Sequence, residues 1–297
     1  MAEPGDLGKK ASTAINNASD QIESEPVRYR KIKNIMTSEV LTITPENTLH
    51  DAAQLMGEKH IGSLIVMKYD TPVGIITEGN LLNIVRNGIP LERDWIRSSP
   101  SIRNEKVEKV MSSPLVKICV ESTLKDAARI MIEKRIRRLG VCDSGNLVGI
   151  ITTSDMIGSL PEVPETMKTW FEVDHFMSKH VVTADEKTLL EDVAKIMAEN
   201  HVGSVVVTSQ GEPIGIFTER DLLTKFLAKD KSLIEEVGTV CSSPLITAPV
   251  GTSAHDAAAI MAEKHIKRLP ITKGGKLVGV LSARDLVEAY ARGYKEF

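Results

Sequence analysis

Residues 74–80 read GIITEGN, and this heptapeptide pattern returns three more times along the chain. It reads GIITTSD at 149–155, GIFTERD at 215–221 and GVLSARD at 279–285. In each copy a glycine and two apolar residues lead to a hydroxyl residue, and Asp or Asn follows three positions later. An apolar run that ends in a hydroxyl residue and an acid predicts a buried strand running into a capped helix.

The spacing around the heptapeptide is the same in all four copies. Its glycine lies 38 residues after a sulfur-containing residue each time, at Met36, Met111, Met177 and Cys241. A fixed period without insertions indicates one supersecondary unit used four times. Because such a small unit cannot bury its own apolar face, we expect the units to pack in pairs.

Each unit is predicted to have the order β-α-β-β-α, which places the chain in the α/β class. The first strands are short and rich in β-branched residues: Val40–Ile43, Val116–Ile118 and Val181–Thr183. The expected caps of the first helix are Asn47, Ser122, Thr188 and Thr252. Turn residues such as Asp143–Asn146 separate two further strands in a hairpin, and a second helix ends the unit.

Composition excludes several classes of function. The chain has 297 residues, a net charge of −3 and only 4% aromatic residues, which does not favour nucleic acid as a partner. No apolar run approaches the ~18 residues of a membrane span. Three cysteines without metal-ligand spacing, and the lack of a secretion signal, predict a cytoplasmic protein with reduced thiols.

The sequence contains no recurring pattern of catalytic residues. No cluster of Ser, His and acid repeats, and neither a nucleophile-elbow nor a phosphate-loop sequence is present. We therefore predict a protein that is not an enzyme and has no metal site and no cofactor.

The hydroxyl and acid residues of the heptapeptide have two interpretations. They are Thr77 and Asn80, Thr152 and Asp155, Thr218 and Asp221, and Ser282 and Asp285. As a capping box they would only start the second helix. Alternatively, the free N–H groups of that helix start could bind an anion while the acid accepts the hydroxyls of a ribose. The residues alone leave both open.

The start of the strand that leads into the hairpin differs between odd and even repeats. Odd repeats have Gly62-Ser63 and Gly203-Ser204, whereas even repeats have Arg137-Arg138 and Lys267-Arg268. If odd repeats pair with even ones, a basic pair enters each interface, where it suits a phosphate. Solvated charges at the rim of the domain are the alternative.

This pattern, in which Met-x(14)-Asp and an apolar hairpin precede G-h-h-T/S-x-x-D, resembles the CBS domain, named after cystathionine β-synthase. The resemblance covers about 34–87, 109–160, 175–228 and 239–292. CBS domains pair into Bateman modules, so the resemblance implies one module at 29–160 and a second at 161–297. Residues 1–28, with few large apolar side chains, are predicted to form a flexible tail.

The resemblance implies that clefts between paired repeats bind AMP, ADP or ATP, with S-adenosylmethionine or methylthioadenosine as the alternative. A ligand-free interaction scaffold is a further alternative. The family's ribose-binding acid matches Asp155, Asp221 and Asp285, and its hydroxyl residue matches Thr152, Thr218 and Ser282. Phosphate-binding basic residues, as in the γ subunit of AMP-activated kinase, match Arg137, Arg138, Lys267 and Arg268, with Arg220 and Arg284 as further candidates. The adenine is expected against the first strand.

The first repeat departs from the family pattern because Asn80 replaces the acid and Gly79 precedes it. Asparagine accepts through one oxygen and carries no charge, so this cleft is expected to be weak or empty.

The resemblance further implies a stand-alone regulatory protein, of the energy-sensing kind, whose regulated partner is unknown. Apolar residues on the second helices predict association of modules: Leu222, Leu223, Phe226, Leu286, Val287 and Tyr290. We expect a homodimer, with a disc closed by the two modules of one chain as the alternative.

Overall fold

The structure is a computed structural model that describes residues 30–86, 104–159, 172–229 and 231–293. The tail predicted at 1–28 lies outside the described residues. Each repeat forms a three-stranded sheet in which the strands follow their order along the chain. The first strand runs parallel to the second, and the second and third strands form an antiparallel hairpin.

The four repeats have equivalent elements. Repeat 1 contains β1 (Thr42–Ile43), α1 (Leu49–Glu58), β2 (Ser63–Lys68), β3 (Thr71–Thr77) and α2 (Glu78–Arg86). Repeat 2 contains β4 (Lys117–Cys119), α3 (Leu124–Glu133), β5 (Arg138–Asp143), β6 (Asn146–Thr152) and α4 (Thr153–Ile157). Repeat 3 contains β7 (Thr183–Asp185), α5 (Leu190–Glu199), β8 (Ser204–Ser209), β9 (Glu212–Thr218) and the helical segment 219–229, α6. Repeat 4 contains β10 (Ala248–Pro249), α7 (Ala254–Glu263), β11 (Arg268–Lys273), β12 (Lys276–Ser282) and α8 (Ala283–Gly293). The predicted α/β order is confirmed.

The first helix of each repeat is capped one residue later than predicted. The observed cap positions are Thr48, Thr123, Leu189 and Ser253. The predicted caps Asn47, Ser122, Thr188 and Thr252 are therefore wrong by one residue. Thr48 and Thr123 form full capping boxes with the acids of the first helical turn, whereas Leu189 has no side-chain acceptor. Where two polar residues are adjacent at a helix start, the cap is the residue whose side-chain oxygen accepts from the backbone N–H of the third helical residue.

An odd and an even repeat pair through exchanged segments. Thr37, before β1, exchanges two backbone hydrogen bonds of 2.9 Å with Ile150 on β6. Ser112, before β4, pairs in the same way with Ile75 on β3. The equivalent pairs of the second module are Ser178 with Val280 and Ser242 with Ile216. As a result, the start of each second helix faces the segment that leads into its partner's first strand.

The two modules pack against each other within one chain. Helices α1 and α2 of repeat 1 contact α6 and α5 of repeat 3, and α8 of repeat 4 contacts α3 and α4 of repeat 2. Phe226 is 2% exposed in an apolar cluster built from repeats 1 and 3. Tyr290 is 8% exposed in a cluster that joins repeats 2 and 4. The apolar second-helix residues that predicted association are thus buried between the modules, as in a disc closed by one chain. Within the described ranges, no helix has the length and apolar character needed to span a membrane.

Candidate ligand clefts and their shared cations

Three cavities open where the hydroxyl and acid motif of one repeat faces its partner repeat. Each is named here after the repeat that contributes the motif. The repeat-2 cleft has a volume of about 300 Å³, the repeat-3 cleft about 200 Å³ and the repeat-4 cleft about 390 Å³. The volumes of the repeat-2 and repeat-4 clefts lie near the lower end of the range typical of small-molecule sites, and the repeat-3 cleft is smaller than that range.

The repeat-4 cleft brings together every type of residue predicted for it. Its lining includes Ser282, Arg284 and Asp285, with Arg137 and Arg268 from two even repeats. One carboxylate oxygen of Asp285, Oδ2, accepts hydrogen bonds from the backbone N and the Oγ of Ser282, both at 2.7 Å. Partial burial raises the pKa of Asp285, although the bonds from Ser282 act in the opposite direction.

The repeat-3 cleft is lined by Thr218, Asp221 and Arg220 together with Lys267 and Arg268. Oδ2 of Asp221 accepts from Oγ1 of Thr218 at 2.6 Å and from its backbone N at 3.0 Å. The other carboxylate oxygen lies 2.8 Å from Nζ of Lys225. In this cleft the acid is therefore already paired with a lysine of its own helix.

The repeat-2 cleft is lined by Thr152, but Asp155 is not among its lining residues. Oδ2 of Asp155 accepts from the backbone N of Thr152 at 2.7 Å. Partial burial raises the pKa of Asp155, against the effect of the hydrogen bonds from Thr152. The opposite wall contains Val40 and Leu41, which precede β1, so the apolar side of the cleft lies beside the first strand as expected.

Helix capping by the motif is confirmed in all three clefts, and at Asp155 and Asp285 it occupies a single carboxylate oxygen. The bonds from Ser282 to Asp285 and from Thr152 to Asp155 reach one carboxylate oxygen, Oδ2. A carboxylate offers about four lone-pair positions on its two oxygens. The raised pKa values of Asp155 and Asp285 also mean that burial destabilises the ionised carboxylates more than their hydrogen bonds stabilise them. Hydroxyl groups of a ribose would supply the missing donors.

The motif of repeat 1 is arranged differently. Asn80 caps like the acids, since its Oδ1 accepts from the backbone N and the Oγ1 of Thr77 at 3.0 and 2.7 Å. Its amide nitrogen donates to the carbonyl oxygen of Val110 at 3.0 Å and to Oγ of Ser112 at 3.2 Å. Both acceptors belong to the partner repeat, so the amide bridges the position where a cleft would open. None of the three clefts is lined by Thr77 or Asn80.

The three clefts share their positive charges. Arg137 and Arg268 line all three clefts, Arg220 and Lys267 line the repeat-2 and repeat-3 clefts, and Arg138 lines the repeat-2 cleft. These five residues are called the cation cluster. The alternative that the basic pairs are solvated charges at the rim is wrong for Arg138, whose side chain is 10% exposed.

Two glutamates that the sequence analysis did not single out lie inside the cation cluster. The side chain of Glu78 is 6% exposed, and its Oε1 accepts from Nε of Arg220 at 3.0 Å. Oε2 of Glu219 accepts from Nη2 of Arg137 at 3.4 Å. Glu78 and Arg137 belong to the first module, whereas Glu219 and Arg220 belong to the second. Both ion pairs therefore join the modules.

The glycines directly before β2 and β8 make space for the two glutamates and for an arginine of the paired even repeat. A Cβ on Gly62 would lie 2.6 Å from Nη2 of Arg138 and 2.8 Å from the carboxylate of Glu78. A Cβ on Gly203 would lie 2.8 Å from Nη2 of Arg268 and 2.9 Å from Oε2 of Glu219. At these two positions the odd repeats supply the space and the glutamate, and the paired even repeats supply Arg138 and Arg268. Arg220, which binds Glu78 across the modules, comes from an odd repeat.

The sequence contains a pattern that could have indicated the two glutamates. Odd repeats combine Gly62 or Gly203 with a glutamate directly after the motif hydroxyl residue, whereas Thr153 and Ala283 stand at that position in the even repeats. The alternation matches that of the basic pairs. A glutamate in a first helical turn is common, however, because the helix dipole stabilises it there.

Burial depresses the pKa values of the cations. Desolvation, reinforced by the charge of Arg137, lowers the pKa of Arg138 to about 10 and also lowers that of Arg268. Desolvation lowers the pKa of Lys267 to about 7, although Glu78 acts against it. Lys267 is therefore only partly protonated near neutral pH.

The anion in the cluster shows the opposite balance. Burial alone would raise the pKa of Glu78, but the charges of Lys267, Arg220 and Arg138 outweigh it and hold the pKa below its ordinary value. The cluster thus has an excess of positive charge that favours any anion brought into it. Among the described residues, no group of three or more His, Cys, Asp or Glu side chains could hold a metal ion.

The fold and the clefts define a protein of four paired α/β repeats with ligand-sized spaces at the repeat interfaces. The family model of the CBS domain matches residues 32–87, 107–162, 173–228 and 237–292. Since these matches cover most of the chain, it belongs to the CBS domain family.

Relatives from archaea resemble the chain over most of its length. Protein MJ1404 of Methanocaldococcus jannaschii is 28% identical over 277 residues, which cover 88% of this chain and 62% of that protein. The chain thus spans less than two thirds of that relative. The solved structure of protein MJ1225 from the same organism, proposed as an archaeal homologue of g-AMPK, has a TM-score of 0.71 at 20% identity. The structural alignment with MJ1225 covers 88% of this chain and 100% of the MJ1225 chain. A conserved protein of Pyrococcus horikoshii has a TM-score of 0.59 at 25% identity, over 87% of this chain and 99% of that one.

Proposed function

We propose that the chain is a non-catalytic regulator that binds adenine nucleotides, AMP, ADP or ATP, in its repeat-2, repeat-3 and repeat-4 clefts. The observation that carries the proposal is the shared cation cluster into which the three clefts open. Four arginines and two glutamates give the cluster and its anions a net charge of +2, which becomes +3 when Lys267 is protonated. Such an excess inside the protein suits a phosphate better than it suits a neutral group.

The remainder of each cleft suits a nucleoside. Asp221 and Asp285 line their clefts as ribose acceptors. Apolar residues such as Val40 and Leu41 in the repeat-2 cleft offer a surface for the adenine. Asp155 does not line its cleft. Its side chain or the ligand would therefore have to move before this carboxylate could accept the ribose hydroxyls.

The cation cluster argues against S-adenosylmethionine, whose sulfonium is itself positive and would be repelled. Methylthioadenosine is uncharged and would leave the cluster unused. A ligand-free scaffold remains the alternative that the capping bonds of Asp285 and Asp221 favour. The repeat-1 position is proposed to stay empty, because the Asn80 amide already bridges to Val110 and Ser112.

Ligand phosphates would compete with Glu78 and Glu219 for the arginines that join the modules. Arg220 and Arg137 would then bind phosphate in place of an anion of the other module. A change of ligand would thereby change the contact between modules, which is the kind of response a regulatory protein needs. The regulated partner is unknown.

Native mass spectrometry of protein purified without added ligand tests occupancy and assembly together. We expect retained or added AMP to bind at no more than three copies per chain. A fourth copy would contradict the assignment of the repeat-1 position.

The homodimer and the cytoplasmic location stay predictions, and the same spectra report the subunit count. A dimer would have to use surfaces other than the helices buried between the modules.

The titration of Lys267 makes AMP binding depend on pH. In the unliganded protein its pKa is about 7, so above that pH the amine is mostly neutral. A bound phosphate dianion favours the protonated amine, and binding must therefore take up a proton. In the repeat-2 and repeat-3 clefts, which Lys267 lines, we expect AMP affinity to fall roughly three- to tenfold per pH unit between pH 7.5 and 9, the limit for one linked proton being tenfold. The repeat-4 cleft, which Lys267 does not line, should show little of this dependence. The phosphate itself contributes little there, since its second pKa is about 6.

Calorimetry in buffers with different ionisation enthalpies measures this proton uptake directly. Adenosine, which lacks the phosphate, is the ligand control and should show no uptake. Lys267→Arg keeps its charge throughout this range and should flatten the pH dependence while AMP still binds. Persistence of the full pH dependence in Lys267→Arg would assign the proton to another group.

A further inference from the structure

Two of the three cysteines are direct neighbours across a pair of strands. Cys119 on β4 and Cys142 on β5 are register partners in the parallel ladder of repeat 2. The backbone N–H of Val120 donates to the carbonyl oxygen of Cys142 at 3.0 Å, which fixes this register. Both thiols are free.

The two side chains share the outer face of the sheet. Their chain neighbours Ile118 and Val141 are 6% and 0% exposed on the inner face. Because side chains alternate along a strand, Cys119 and Cys142 point the other way. Cys119 is exposed and Cys142 is half-buried.

Repeat 2 differs from repeats 3 and 4 at this pair. In those repeats the position of Cys142 holds Thr208 or Thr272, whose hydroxyls lie 3.4 and 3.5 Å from a carbonyl oxygen of the first strand. The position of Cys119 holds Asp185 or Pro249 there. Repeat 2 has a thiol in both positions.

We propose that Cys119 and Cys142 form a thiol modification site, which small-molecule disulfides convert reversibly into an intrachain disulfide. Adjacent strands lie about 4.7–4.9 Å apart, which is within the Cα separation of about 4.4–6.8 Å that disulfides span. The first strand of repeat 2 is a three-residue strand at the edge of its sheet, and it pairs with β5 alone. A short edge strand can shift slightly, and such a shift would bring the two sulfur atoms to bonding distance.

The reaction is a thiol–disulfide exchange in two steps. The exposed Cys119 thiolate attacks one sulfur of oxidised glutathione, the S–S bond breaks, and one glutathione thiolate leaves. Cys142 then loses its proton and attacks the Cys119 sulfur of the mixed disulfide, which releases the second glutathione thiolate. Two protein thiols are oxidised and one glutathione disulfide is reduced to two thiols. Burial raises the pKa of Cys142, so the half-buried thiol suits the second step and the exposed one suits the first.

The test is to incubate the native chain with oxidised glutathione, block the remaining thiols and map the peptides by mass spectrometry. The expected product is one disulfide between Cys119 and Cys142, two hydrogen masses lighter than the reduced chain and reversed by dithiothreitol. Cys142→Ser should stop at a glutathione adduct on Cys119. Cys241, whose thiol lies 3.6 Å from the carbonyl oxygen of Gly238, is the internal control and should remain blockable.

Stable glutathione adducts on wild-type Cys119 without the intrachain bond would overturn the proposal. So would disulfides that form only between chains, or equal participation of Cys241. Nucleotide binding does not enter the outcome, because the protein can be tested without nucleotide.

Discussion

Replacing Arg137 with glutamine is expected to weaken AMP binding by roughly tenfold to a hundredfold and to leave adenosine binding unchanged. Arg137 lines all three clefts, so no cleft is spared. A hydrogen bond to a charged group contributes about 1.5–3 kcal/mol, and each 1.4 kcal/mol is a factor of ten in the dissociation constant. The expected loss therefore appears only for ligands that carry phosphate. Calorimetric titrations of the variant with AMP and with adenosine measure it.

Arg129→Gln is the matched control for this variant. Arg129 lies in the same repeat on α3, and its side chain is 65% exposed in a surface ion pair with Asp126. It removes the same charge from the chain without touching a cleft, so AMP affinity should stay within about twofold, as a screened surface charge allows. If Arg137→Gln weakened adenosine as much as AMP, the arginine would support the fold of the clefts and would not bind phosphate.

Replacing Asp285 with asparagine separates the capping role of the motif from its ligand role. Asn80 already caps the second helix of repeat 1 with the same two bonds to its hydroxyl residue, so asparagine can keep the cap. We expect the melting temperature of the unliganded protein to change little. The ribose, in contrast, loses a charged acceptor typically worth about 1.5–3 kcal/mol, so AMP and adenosine should both bind the repeat-4 cleft roughly tenfold to a hundredfold more weakly.

Asp256→Asn provides the control in the same repeat. Asp256 lies in the first turn of α7 and is hydrogen-bonded to the cap residue Ser253. Oγ of Ser253 donates to its Oδ2 at 2.7 Å, and its backbone N donates to Oγ of Ser253 at 3.0 Å. Asp256 does not line any of the three clefts. Its replacement should leave nucleotide affinity unchanged. Wild-type affinity in Asp285→Asn would mean that the carboxylate is only a cap. Asp285→Ala removes both functions and should lower the melting temperature as well, since loss of a cap costs about 0.5–2 kcal/mol.

Much of the fold could be predicted from the sequence because the same spacing occurs four times. The gapless step from Met36 to the heptapeptide glycine, and the turn residues of each hairpin, determine strands and helices locally. The cap positions were wrong by one residue because Asn47 and Thr48 are both good caps, and only the backbone geometry selects Thr48. Apolar residues such as Phe226 predicted association, but apolarity alone does not decide whether the partner surface lies in the same chain.

The sequence predicted most residues that line the candidate clefts, but it did not predict the two glutamates inside the cation cluster. The motif acids and the basic pairs were identified, and Asp155 is the member that does not line its cleft. Glu78 and Glu219 were missed because an acid in a first helical turn has a sufficient local explanation. Their partners Arg220 and Arg137 are distant in sequence and belong to the other module. Only the packing of the two modules brings these charges together.

Whether the clefts bind phosphate-bearing nucleotides is measured by calorimetric titration of the wild-type chain with AMP, ATP and S-adenosylmethionine. We expect AMP and ATP to bind at one to three sites per chain with micromolar dissociation constants, near −8 kcal/mol each. S-adenosylmethionine should bind more weakly or not at all, because the cation cluster repels a sulfonium. An absence of heat and of any thermal shift at millimolar concentrations of all three ligands would contradict the proposed function. The hydroxyl and acid motifs would then be helix caps, and the chain would act as a scaffold.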